Sequence, residues 1–108
     1  MPPVELLPGT LDLLVLRTLV RGPNHGYGIA QRVRELSMDV FHIGESSLYP
    51  ALQRLTLDGA IKAEWGVSDN NRRARFYTLT ATGKKRLAAE RKEFERIVTA
   101  IHLVLDFA

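Results

Sequence analysis

Ser46-Ser47-Leu48-Tyr49-Pro50-Ala51-Leu52-Gln53-Arg54-Leu55 reads as a short helix with two unlike faces. Leu48, Leu52 and Leu55 are spaced four and three, the narrow stripe that a helix turns toward a core. The other face offers Ser46, Ser47, Tyr49, Pro50, Gln53 and Arg54. Either serine can cap the start, and Pro50 falls in or just after the first turn, where its missing N–H costs least. Asp58-Gly59 closes the helix. The period then changes. Ile61-Lys62-Ala63-Glu64-Trp65 alternates every second residue, Gly66 to Asn71 is polar and turn-rich, and Arg75-Phe76-Tyr77-Thr78-Leu79 resumes a β-prone run. Strand, polar loop and strand predict a β-hairpin.

Two helices are predicted upstream. Leu11 to Arg21 follows Thr10, a good N-cap. Asp12 suits the first turn, and Leu13, Leu16 and Val20 share a face. Arg21-Gly22-Pro23 ends it. Gly26 to Leu36 places Ile29, Val33 and Leu36 on one face. Gly28 inside that helix costs about 1 kcal/mol against alanine, which suggests close approach of another helix or a backbone. Ser37 to Gly44 connects to the third helix. Downstream, Thr80 or Thr82 caps a long helix that runs to about Phe107. Leu87, Phe94 and Ile101 recur every seven residues. Ile97 and Val104 repeat the interval three residues later, and Val98 and Leu105 widen the seam. This is the pattern of a helix packed against a second helix.

The fold class expected is mainly α with a small β-hairpin: a winged helix-turn-helix over residues 1–79 and a C-terminal dimerisation helix over residues 80–108. In that layout the third helix enters the major groove of DNA and the hairpin is the wing. Serines at a helix start offer hydroxyls and backbone N–H groups to phosphate. Glutamine and arginine can read base edges, glutamine at adenine and arginine at guanine. Tyr49 can bond a phosphate or pack on a thymine methyl. Arg72, Arg73 and Arg75 put positive charge on the wing, where it can follow a phosphate backbone. The face of Phe94, Ile97, Val98, Ile101, Val104 and Leu105 is the candidate dimerisation surface.

Composition agrees with one domain of ordinary globular character. The 108 residues carry 15 Lys and Arg against 12 Asp and Glu, with 45% hydrophobic residues. Charge is balanced from Glu5 to Gly44; the excess lies at Arg72-Arg73-Ala74-Arg75 and Lys84-Lys85-Arg86. With no cysteine there is no disulfide, thiolate metal site or cysteine nucleophile. His25, His42 and His102 lack metal-ligand spacing, so no metal or other cofactor is expected. Gly26-Tyr27-Gly28 lacks the third glycine and the preceding strand of a phosphate loop, and Asp12, Glu35 and Asp39 form no carboxylate pair. An enzyme is not expected. No apolar run reaches the roughly 20 residues of a membrane span, and Met1-Pro2-Pro3-Val4 is no secretory signal, so a cytoplasmic protein is expected.

The chain resembles the PadR family of bacterial transcriptional regulators. The resemblance is carried by Gly9-Thr10-Leu11-Asp12-Leu13-Leu14-Val15-Leu16, His25-Gly26-Tyr27-Gly28-Ile29, Ser47 to Leu55 with Asp58-Gly59-Ala60-Ile61, and Arg72 to Thr80 followed by Gly83. It implies a homodimeric repressor that binds a double-stranded DNA operator and releases it on binding a small-molecule effector, whose identity the sequence leaves open. It also implies the branch with a single C-terminal helix. The family's groove-facing positions fall on Ser46, Ser47, Tyr49, Pro50, Gln53 and Arg54, and its wing residues on Arg72, Arg73 and Arg75. There are two departures. Gln53 stands where lysine or histidine is frequent. The one tryptophan, Trp65, lies in the wing region and not on the C-terminal helix, so an aromatic-sandwich drug site is not expected there. The alternative reading is a winged helix that docks another protein and ignores DNA.

Overall fold

The computed structural model describes residues 6–108; the expectation for Met1 to Val4 lies outside them. The chain forms α1 (Pro8–Thr18), a 3-10 turn at Leu19–Arg21, β1 (Asn24–His25), α2 (Gly26–Leu36), α3 (Glu45–Leu57), β2 (Ile61–Val67), β3 (Arg73–Leu79) and α4 (Ala81–Leu105). The three strands are antiparallel in the order β1-β3-β2. This is the winged helix-turn-helix arrangement with one long helix appended. That helix gives the molecule its length, with extents of 57 × 33 × 22 Å.

The core is the meeting place of three stripes. Leu11, Val15, Leu16 and Leu19 come from α1 and the turn that follows it, Leu48, Ala51, Leu52 and Leu55 from α3, and Ile29 from α2. Ile61, Tyr77 and Leu79 of the hairpin close it. The leucine stripe of α3 is buried as expected. Other positions differ. Neither serine caps α3: Gly44 takes that position and makes no side-chain cap bond. Thr10 does not cap α1, which already starts at Pro8. Val20 is exposed, because the helix tightens to 3-10 at Leu19–Arg21 and each residue then turns about 120° instead of 100°. Leu36, the last residue of α2, is also exposed.

Gly28 leaves room for a neighbour that sequence spacing does not suggest. A Cβ there would collide with the side chain of Asn24, whose Oδ1 accepts from the His25 N–H at 2.9 Å. The contact between α2 and α3 lies at Gly26 instead, against Tyr49, Leu48 and Leu52. His25 caps α2: its Nδ1 accepts from the Gly28 N–H at 3.0 Å. The paired residues Asn24 and His25 are too short a strand to leave a periodic signature.

α3 ends with Gly59 at φ 74, the left-handed value that favours glycine, while the Ala60 N–H returns to the Leu55 carbonyl at 2.9 Å and the Gly59 N–H to that of Thr56 at 3.1 Å. At the start of α4, the Thr80 hydroxyl accepts from the Gly83 N–H at 3.0 Å. It lies 2.6 Å from the Gly59 carbonyl oxygen, to which it donates. One side chain thus joins the end of α3 to the start of α4.

Candidate nucleic-acid interface

α2 and α3 meet through residues 37–44. Asp39 adopts φ 65, which aspartate tolerates better than most residues, and its carboxylate takes the Arg34 guanidinium at 3.0 Å. The Ser37 hydroxyl accepts from the Phe41 N–H at 3.0 Å. With the turn held in this way and the leucine stripe buried, Ser46, Ser47, Tyr49, Pro50 and Gln53 stand exposed on α3. Tyr49 and Gln53 are one turn apart on one face.

Arg54 lies farther round the same exposed side of α3, and its guanidinium is already engaged. Its guanidinium donates to Asp12 Oδ1 at 2.9 Å, across 42 residues of sequence. Asp12 is itself buried at 6% exposure, not a first-turn surface acid. Its second oxygen lies 3.5 Å from Arg86, which also reaches Asp58 at 3.1 Å and Glu90 at 2.7 Å. α1, α3 and α4 are therefore tied by one ionic cluster. Burial raises the Asp12 carboxyl above its ordinary value; the hydrogen bond and charge of Arg54, and the charge of Arg86, oppose the shift without reversing it. The Glu90 carboxylate, the largest influence on Arg86, raises that guanidinium further.

A group with a raised folded value stabilises the fold most below its unfolded value and loses that contribution as pH rises through the folded one. Wild type should accordingly gain stability relative to Asp12→Asn as pH falls from neutral toward 3.8. Urea midpoints of the two proteins at neutral pH and near that value check it. A difference moving the other way would mean that the arginines outweigh burial.

In the hairpin, Ile61 faces Leu79, Ala63 faces Tyr77, Trp65 faces Arg75 and Val67 faces Arg73. These residues share one face of the ribbon, because side chains alternate along a strand. Its inner end is core. Its outer end carries Trp65, Arg73 and Arg75, and Arg72 stands exposed in the turn. Among the described residues, no carboxylate lies within ion-pair distance of Arg72, Arg73 or Arg75. Between wing and helix is an open cleft of about 420 Å³, lined by Tyr27, Tyr49, Trp65, Arg73, Arg75 and Tyr77 among others.

The cleft also holds two residues that sequence reasoning misses as site residues, Trp65 and Tyr27, the latter exposed at the start of α2. The hairpin register offers a signal for Trp65. Pairing Ile61 with Leu79 places Trp65 directly across from Arg75. Nothing in the local pattern marks Tyr27.

A helix with an exposed polar face, set beside a hairpin bearing exposed arginines, defines the class of winged helix-turn-helix transcriptional regulators. The family model described as "Transcriptional regulator PadR-like family" matches residues 15–89, and the chain belongs to that family. It is 32% identical over 97 residues to the transcriptional regulator Rv3488 of Mycobacterium tuberculosis, covering 90% of this chain and 87% of that one. A transcriptional regulator from Clostridium thermocellum has a similar structure, with TM-score 0.80, 30% identity and coverage of 87% and 91%. A PadR family regulator from Clostridium difficile gives TM-score 0.76 at 29% identity, with coverage of 88% and 97%. The protein is a transcriptional regulator and not an enzyme. Among the described residues no helix is long and apolar enough to cross a membrane.

Proposed function

We propose that the protein is a sequence-specific, homodimeric repressor of the PadR type that binds double-stranded DNA through α3 and the wing and responds to a small-molecule effector. One observation carries the DNA reading. Tyr49, on the exposed face of α3 that also carries Ser46, Ser47, Pro50 and Gln53, and Arg73 and Arg75 of the wing line the same open cleft. α3 offers donors and base-reading groups, and the wing offers charge for phosphate. The apolar residues of α4 from Phe94 onward support the dimer. The repressor role and the effector rest on family membership. In this proposal Arg54, exposed on the same side of α3, also holds that helix to α1 through Asp12.

Binding to the DNA upstream of its own gene, titrated with salt, tests the proposal. Affinity should fall as salt rises, with a slope near 0.9 per phosphate neutralised. Indifference to DNA at low salt would favour the protein-docking winged helix instead. Once an operator is in hand, Gln53→Ala should relax preference at one base pair by about 1–3 kcal/mol of discrimination. The check is a binding series on the operator and its single-base variants. An unchanged ranking would mean that another group reads the sequence.

A further inference from the structure

We infer that Trp65 is a positioning residue for DNA binding: its indole holds the guanidinium groups of Arg73 and Arg75 on the side of the wing that faces α3. The inference rests on the DNA-binding reading above and adds a residue to it. Trp65 is 59% exposed, so core packing alone does not explain a large aromatic there. What it touches is charge. The Arg73 Cζ lies 4.6 Å from the ring centroid and the Arg75 Cζ 5.6 Å from it. Both distances fall within the range in which a cation is attracted to an indole face.

The strand register produces this arrangement. Arg75 is the cross-strand partner of Trp65, and Arg73 is its diagonal neighbour, opposite Val67. Among the described residues, Arg72, outside the paired strands, stands over no aromatic ring. An arginine side chain free in solvent has many rotamers, and a phosphate that binds it must select among them. Stacking on Trp65 removes part of that choice before DNA arrives. It also keeps both charges toward the cleft that Tyr27 and Tyr49 share.

Binding to a mixed-sequence DNA duplex at low salt tests the inference without a known operator. Trp65→Leu should weaken binding about five- to thirty-fold, the combined worth of two exposed cation–ring contacts. The salt slope should not change, because both charges remain. Arg73→Ala with Arg75→Ala should instead make the slope shallower, by about one unit for each arginine that neutralises a phosphate. In that double-alanine background Trp65→Leu should cost nothing more, whereas its effect should multiply with that of Arg72→Ala.

Trp65→Phe keeps a ring and should fall between wild type and leucine; it also serves if the leucine variant does not fold. Trp65 is the chain's one tryptophan, so its emission in the free protein should change when Arg73 and Arg75 become alanine. A Trp65→Leu loss that persists in full without the two arginines would overturn the inference, since the ring would then touch DNA itself or merely brace the hairpin. An emission unaffected by removing the arginines would also overturn it. If the unaltered chain does not bind the duplex, the DNA-binding reading fails and this inference goes with it.

Discussion

Gly83→Ala should destabilise the protein by about 2–3 kcal/mol, although the same change on an open helix surface would stabilise it by about 1 kcal/mol. The reason is what stands where the new methyl group would go. A Cβ on Gly83 would collide with the Ala60 carbonyl oxygen and come within 2.6 Å of a Leu79 methyl. The first obstacle is backbone and cannot rotate away. α4 would have to move off the start of β2. The Gly83 N–H would then lose the Thr80 hydroxyl that caps the helix, and Thr80 would lose its bond to Gly59. Loss of a cap costs about 1 kcal/mol by itself. Thr80→Ala should therefore be the milder change. For a chain of this size the glycine substitution predicts a fall in Tm of about 10–20 °C. Thermal unfolding at one fixed protein concentration checks it. A Gly83→Ala protein as stable as wild type would show that the junction can shift at little cost.

That junction shows how far the sequence can be read. The cap at Thr80 and the stop at Asp58-Gly59 are local, and local spacing reveals both. The bond between them is not local: the end of α3 and the start of α4 are joined only after β2 and β3 have folded back. Arg54 shows the same limit. Spacing puts it on the outer side of α3, about 200° from Leu52, and as a rotation about the helix axis that holds. Its partner Asp12 lies 42 residues away, so periodicity cannot foresee that the guanidinium reaches across to α1. Val20 departs for another reason, since one turn of 3-10 helix changes the phase. The leucine stripe of α3 and the alternation in β2 are legible because each is set by burial of one face and needs no knowledge of its partner. Trp65 becomes legible once the hairpin register is written out.

Ile101→Asp should convert the dimer proposed above to a monomer and weaken operator binding about 10²- to 10⁴-fold, the avidity that joining two binding modules confers. Beyond the core, α4 carries Phe94, Ile97, Ile101 and Val104 on one side, all more than 40% exposed, with Val98 half-buried and Leu105 exposed beside them. Burying each such side chain is worth about 1.5–3 kcal/mol. A contiguous apolar face at the end of a small domain is a mark of an interface. In a two-fold dimer both copies would bring an aspartate in place of Ile101, so a single change would put two carboxylates into one seam. The DNA effect follows from linkage. Two joined domains bind two half-sites with the second event made intramolecular, and that advantage disappears when the link is cut. Light scattering at micromolar concentration and operator titration measure the two consequences. Leu103→Asp is the control: Leu103 is 70% exposed and sits about 200° around the helix from Ile101. If Leu103→Asp splits the dimer and Ile101→Asp does not, the seam runs along the other side of α4, and the heptad spacing of Phe94 and Ile101 has some other cause.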